Sequence, residues 1–295
     1  MVINMNILVM GGTRFFGIHL VKSLLEEGHQ VTIASRGKTG DSYGDRVKRI
    51  IVDRSNPEAM GEAFRGRKFD VICDNIAYCS LDVKNLLNQV TCDRYLLTSS
   101  VSVYPELMLD VKEEDFDPLT YPLIWCTREE YPYDEVKRQA ECALFQKYRE
   151  ISAAAVRFPY VIGEDDYTNR LFFYVEHILR DIPMYIDNLE AQTGFIHSLE
   201  AGSFLARLAM GGLTGPVNAS SRNTITLSEI IHYVEEKTGK RAILTDTGEP
   251  GPYNSENTAF SLNTDKAERF GFRFGKLDAW IYKLLDIYIH QFVNR

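Results

Sequence analysis

A short apolar run, Asn6–Met10, is followed by apolar residues at 16, 20, 21, 24 and 25 and then by Gly28. That order predicts a strand and an amphipathic helix over Phe16–Glu27, stopped at the glycine. The alternation continues through the first half of the chain. Gln30–Ala34, Val47–Val52, Asp70–Cys73, Arg94–Thr98 and Ala153–Phe158 read as strands. Asn56–Phe64, Leu81–Gln89 and Tyr133–Tyr148 read as the helices among them. Strands and helices alternating at this spacing predict βαβ units, hence an α/β protein with a doubly wound parallel sheet.

After Gly163 the pattern loosens. Leu171–Leu179 reads as a helix, Gly194–His197 as a short extended piece, Leu199–Met210 as a helix and Pro216–Ala219 as a strand. A helix over Thr226–Thr238, a loop over Gly248–Asn257 and a C-terminal helix from Leu277 follow. The expected division is a dinucleotide-binding domain over 1–162, to which 194–220 returns. Residues 163–193 and 221–295 then make a smaller C-terminal substrate lobe over the carboxyl edge of the sheet, where such folds bind ligands.

The 295 residues are 45% apolar and 25% charged, enough for one large domain or two joined lobes. The net charge of −8 disfavours a nucleic-acid binder, which must neutralise phosphates. Five cysteines without a CxxC pair point to reduced thiols in the cytoplasm, and no structural metal is expected. No apolar run is long enough for a membrane span, and the N-terminus lacks the features of a signal peptide. Met5-Asn6 reads as a native start preceded by four residues.

Residues 10–17 read MGGTRFFG, between the first strand and the first helix. Gly11 and Gly12 allow a tight turn, and Gly17 lets the helix pack close to the sheet. The stretch Gly11, Thr13, Arg14, Phe15, Phe16, Gly17 would then offer free N–H groups and a positive helix end to a pyrophosphate. A purely structural strand–helix turn is the competing reading. Arg14 stands where a three-glycine fingerprint has its middle glycine, which is tolerable if the backbone there is not left-handed. An NAD site places an acid at the end of the second strand, to hold the ribose 2′-hydroxyl. Here Ser35, Arg36 and Lys38 stand in its place. Arg36 and Lys38, with Arg14, would attract a 2′-phosphate, and Ser35 could donate to it. NADP is therefore the expected cofactor, with NAD the alternative; a solvated basic loop is the bland reading.

Residues 95–104 read YLLTSSVSVY and 133–141 read YDEVKRQAE. Tyr133 and Lys137 are four apart and share a helix face. A phenol is a poor base at neutral pH, but a nearby ammonium favours its ionised form. A serine at the end of the adjacent strand would orient the substrate oxygen. Such a trio moves a proton to or from a carbinol oxygen while hydride moves at a nicotinamide.

These stretches, with RFPYVIGEDD (157–166), FIHSLEAG (195–202) and NTDKAERFGF (263–272), resemble the extended short-chain dehydrogenases/reductases over nearly the whole chain. The resemblance implies a Rossmann domain with a small substrate lobe and a Ser/Thr-Tyr-Lys triad. Its spacing selects Ser100, counted back from Tyr104, with Ser99 the rival. It also implies Asp53 and Arg54 at the adenine, Asn75, Ala77 and Tyr78 beside the nicotinamide ribose, and Pro159 near the nicotinamide. Relatives hold a substrate phosphate or cofactor near Arg170, for which a surface salt bridge is the alternative. The GGTR turn is most similar to an atypical NAD-dependent epimerase/dehydratase subgroup that includes chloroplast stem-loop-binding proteins, which bind RNA. Ser100-Val101-Ser102 replaces the Thr-Asp-Glu of the family's dehydratases, so dehydration by that route is not expected.

The expected function is an NAD(P)-dependent oxidoreductase or epimerase acting on a small-molecule substrate, a nucleotide-linked sugar by family analogy. A catalytically weak nucleotide-sensing or RNA-binding protein on the same fold is the alternative. A homodimer through the Tyr-Lys helix is a further family expectation. His197 reads as a hydrogen-bonded interface residue, Glu113-Glu114-Asp115-Asp117 as a solvated loop, and Phe172-Phe173-Tyr174 as lobe core. Tyr121, Trp125 and Cys126 read as pocket lining or as core.

Overall fold

The computed structural model describes residues 4–253 and 259–293. Seven strands form its central sheet: β1 (Asn6–Met10), β2 (Gln30–Ser35), β3 (Val47–Ile51), β4 (Arg67–Asp74), β5 (Val90–Ser100), β6 (Ser152–Phe158) and β7 (Gly215–Asn218). They pair in the order β7-β6-β5-β4-β1-β2-β3, each pair parallel. The order reverses at β1, between β2 and β4, and a ligand crevice opens at that switch point. The doubly wound sheet predicted from the alternation is therefore present. Strands β4 and β5 start earlier than their apolar runs. There, Arg67, Lys68 and Phe69 pair with Val90, Thr91 and Cys92. Parallel pairing satisfies these backbones at the amino ends of two central strands, where the mostly polar side chains give no strand signal in hydropathy.

Helices α1 (Phe16–Glu26), α2 (Pro57–Phe64), α3 (Ser80–Leu87) and α4 (Tyr133–Lys147) follow β1, β3, β4 and β5. Buried residues of α1 pack with Ile7, Val9 and Val156 on one face of the sheet. Those of α2, α3 and α4 pack with Leu8, Ile72 and Leu97 on the other. Beyond α5 (Phe172–Leu179), helix α6 (Ser198–Met210) lies beside α1. Their approach is close: a Cβ at Gly202 would lie 2.5 Å from His19 Cβ and 2.6 Å from the Phe16 carbonyl.

A second core joins α5 to α7 (Leu227–Thr238) and, beyond α8 (Asp265–Arg269), to α9 (Ile281–Val293). Phe172 and Tyr174 are buried in it, as the lobe-core reading expected. Helix α7 starts at a Thr226–Glu229 capping box and ends at left-handed Gly239. The expected C-terminal helix begins as a 3-10 turn, Leu277–Ala279, before α9. The extended piece expected at Gly194–His197 is a strand over Phe195–His197, and its parallel partner Tyr160–Ile162 and helix α8 are among the short features that hydropathy did not show. Although α8 lies in the stretch assigned to the lobe, Ala267 and Phe274 pack in the α1/α6 core. Residues 254–257 of the expected loop lie outside the described residues. The acidic loop is only partly solvated: Glu113 Oε1 accepts from the Asn218 amide (2.9 Å), and its carbonyl accepts from Arg157 (2.9 Å). Among the described residues no helix is long and apolar enough to cross a membrane, and no three His, Cys, Asp or Glu gather as metal ligands.

Candidate active site

The carboxyl ends of β1, β2, β4, β5 and β6 bring most of the predicted residues to one crevice. After β1, Gly11 has φ +81, and a Cβ there would meet Ile76 at 2.6 Å. A Cβ at Gly17 would sit 2.3 Å from the Gly11 carbonyl. The turn thus requires glycine at both places. Arg14 is not among the positive-φ residues; the left-handed turn falls on Phe15, at φ 55 and ψ −142. That conformation costs a non-glycine residue on the order of 1–3 kcal/mol. Phe15 is buried, with its ring against Phe16 and edge-on to Tyr167. No side chain caps α1; the Gly17 and Ile18 amides donate to the Arg14 and Phe15 carbonyls (3.1 and 2.9 Å), and the positive dipole end of the helix faces the crevice open to an anion. Tyr43, which the sequence reading missed, braces the turn by donating to the Gly12 carbonyl (2.7 Å, buried). Its signal was faint, a single aromatic in the polar stretch GDSYGD.

Arg36 and Lys38 are exposed just beyond β2. Arg14 reaches the same loop, donating from Nε to Thr39 Oγ1 (2.9 Å). Asp53 lies opposite; hydrogen bonds from Ser55, then the charges of Arg36 and Lys38, hold its carboxyl below the usual range. Ser35 Oγ accepts from the Gly37 amide (3.2 Å). Arg54 is engaged elsewhere. Its guanidinium forks Asp74 (2.6 and 3.1 Å) and bonds Asp82 (3.1 Å), tying the end of β4 to α3. It does not join the Arg14–Arg36–Lys38 group. A tight glycine turn and a helix start without a side-chain cap fit a dinucleotide pyrophosphate.

The residues expected to form the triad meet where β4, β5 and α4 converge. Lys137 is buried, and its Nζ donates to the carbonyls of Ala77 and Thr98 (both 2.9 Å). Thr98 Oγ1 donates to Asn75 Oδ1 (3.0 Å), and Asn75 Nδ2 to the Gly11 carbonyl (3.4 Å), which links this corner to the glycine turn. Lys137 Nζ lies 4.6 Å from the Tyr78 ring centroid and 5.9 Å from that of Tyr133. Burial brings its pKa down to about 8, against the pull of Tyr78, Asp74 and Asp82. Between about 8 and the ordinary 10.5 the unfolded chain binds more protons, so Lys137 makes the fold gain stability as pH rises through that window. Denaturant titrations across it are expected to show that gain in the wild type and lose it in Lys137→Met.

Tyr133 is 49% exposed at the cleft, with Ser100 beside its hydroxyl. Partial burial raises its hydroxyl above the ordinary phenol range; Ser100, Arg170 and Arg128 pull the other way. Of the two candidate serines, Ser99 is committed to structure: its Oγ donates to buried Glu141 (2.5 Å). Ser100, on the other face of β5, accepts from the Ser102 amide (3.2 Å) and lies beside Tyr133. Glu141 also receives Arg157 Nε (3.0 Å) and Nη2 (2.7 Å), with both side chains fully buried. This pair staples α4 to the sheet beneath Tyr133, and the sequence reading missed it. Pro159 is buried where β6 ends. Arg170 reaches the same cleft between the Tyr160 and Tyr253 rings (5.4 and 5.6 Å), without a salt bridge. His197 caps α6 through Nδ1 (3.2 Å from the Leu199 amide) and packs edge-on against Trp280. Tyr121 donates to Glu135, Cys126 is buried beside Cys79, and Trp125 lies under Lys84.

A glycine turn and a Ser-Tyr-Lys group on the carboxyl edge of a doubly wound sheet define the Rossmann-type epimerase class of fold. Within that class the match is specific: residues 7–209 fit the NAD dependent epimerase/dehydratase family, and the chain belongs to it. UDP-glucuronic acid decarboxylase 3 of Arabidopsis thaliana is 26% identical over 260 residues, 79% of this chain and 74% of that one. The chloroplast stem-loop binding protein of 41 kDa b of A. thaliana is 30% identical over 128 residues, 38% of this chain and only 34% of that one. MoeE5, solved with UDP-glucose and NAD, has the same fold at TM-score 0.76 and 19% identity, over 98% of this chain and 99% of that one.

Proposed function

We propose that the protein is an NAD(P)-dependent oxidoreductase or epimerase acting on a hydroxyl or keto group of a nucleotide-linked sugar. The observation that carries this reading is the convergence of Ser100, Tyr133 and Lys137 at the end of β5, beside a turn shaped for pyrophosphate. The UDP-sugars named for relatives and neighbours support the substrate class. A bound nicotinamide supplies the hydride acceptor or donor. Tyr133 exchanges the proton of the substrate oxygen, and Ser100 holds that oxygen by a hydrogen bond. The Lys137 ammonium favours the ionised phenol. Arg170 is the substrate-binding cation.

Arg14, Arg36 and Lys38 favour NADP over NAD, and NADP favours a reductase over an epimerase that recycles one bound NAD. Titration with NADPH and NADH, followed by nicotinamide fluorescence, tests this preference. NADPH is expected to bind more tightly, and Arg36→Ala to weaken it by about 10- to 100-fold, the worth of a hydrogen bond to a charged group, with NADH little changed. Equal affinities would leave the enzyme reading with NAD as its cofactor. The stem-loop-binding relative supports a second reading, RNA binding on the same fold. The net charge of −8 weighs against it. Steeply salt-dependent RNA affinity without turnover would favour it.

A further inference from the structure

Several arginines of this protein are neutralised by carboxylates: Arg54 forks Asp74, Arg138 pairs with Asp134 and Glu135, and Arg157 with Glu141. Two cleft arginines are not. Arg170 donates to Thr168 Oγ1 (3.1 Å) and lies against two tyrosine rings. Arg128, in the loop before α4, lies over Tyr78, its Cζ 3.7 Å from the ring centroid. Tyr78 in turn packs edge-on against Tyr133 at 6.1 Å. Among the described residues no carboxylate comes within ion-pair distance of either guanidinium. Glu130, two residues on from Arg128, is turned back onto Thr127 (2.6 and 2.9 Å).

Stacking holds a guanidinium by its face and leaves the N–H groups around its edge free. It positions the fork that binds a carboxylate through two parallel hydrogen bonds. Arg128 and Arg170 both act on the Tyr133 hydroxyl through their charge, which puts both near the reacting end of a substrate. A neutral sugar would leave two cations there without a counter-charge.

We propose that Arg128, with Arg170 across the cleft, is a specificity residue for an anionic group next to the reacting carbon, so that the substrate is an acidic sugar. This rests on the Ser100–Tyr133–Lys137 reading and narrows its substrate class. A carboxylate seated there would answer both guanidiniums and stay clear of the proton path through Tyr133.

The test uses two nucleotide sugars that differ at one carbon, UDP-glucuronate and UDP-glucose, bound to the NADPH-loaded protein. The wild type is expected to bind the acid at least about tenfold more tightly, the worth of one charge-assisted hydrogen bond. Arg128→Gln is expected to abolish that preference while leaving UDP-glucose affinity unchanged, and Arg128→Lys to restore part of it. Arg128 is exposed, so both variants keep the fold. Equal affinity for the two sugars, or a preference that survives in Arg128→Gln, overturns the inference alone. Failure of both sugars to bind overturns it together with the nucleotide-sugar reading.

Discussion

Tyr133→Phe is expected to lower turnover by about 10²- to 10⁴-fold, the usual worth of a positioned acid–base group, with the fold and NADPH affinity unchanged. The size follows from the place of the hydroxyl. It lies beside Ser100, and no structural hydrogen bond hangs on it. The ring keeps its edge-on packing with Tyr78 after the change. Lys137 continues to donate to Ala77 and Thr98. Measuring kcat beside the denaturation midpoint separates the two roles: a fall in kcat without a fall in stability marks chemistry. A parallel loss of both would make Tyr133 a packing residue.

Glu141→Ala is expected to be the most destabilising single change near the site, by about 3–5 kcal/mol, because it leaves an uncompensated charge in the core. Arg157 is fully buried and keeps neutral partners, the Tyr104 hydroxyl (3.0 Å) and the carbonyls of Glu113 and Phe116 (both 2.9 Å). None of these balances its charge. Ser99 loses its acceptor at the same time. Urea denaturation checks the magnitude. The fold of Glu141→Ala is also expected to loosen where α4 meets β5, so residual activity falls more than the unfolded fraction explains. A loss under 1 kcal/mol would show that the pair contributes little.

The parts of the protein that hydropathy and spacing could reach are those held by one face of one element. The strands and helices around the sheet follow from their apolar stripes. The Tyr133–Lys137 pair follows from helical spacing, and the turn at Gly11 and Gly17 from its place between β1 and α1. What remained illegible depends on partners distant in sequence. Ser99 and Ser100 differ only in the face of β5 they occupy, and it takes Glu141, 42 positions on, to claim Ser99. Arg54 lies beside Asp53 in sequence, but its carboxylate partners, Asp74 and Asp82, stand 20 and 28 positions on. Glu113 looked solvated because its neighbours are acidic, but the Asn218 amide and Arg157 draw it to β7 and β6. The strain at Phe15 was equally hidden: arginine occupies the glycine's place, and the left-handed turn moves one residue on.

The central claim is that Ser100, Tyr133 and Lys137 exchange a proton with a sugar while hydride moves at the nicotinamide. The most direct measurement is the absorbance of reduced nicotinamide after mixing the NADP-loaded protein with UDP-sugars, in the wild type and in Tyr133→Phe. Reduction in the wild type and its loss in the variant is the predicted result. The same reduction in both proteins, or none in the wild type with any sugar, would contradict the claim.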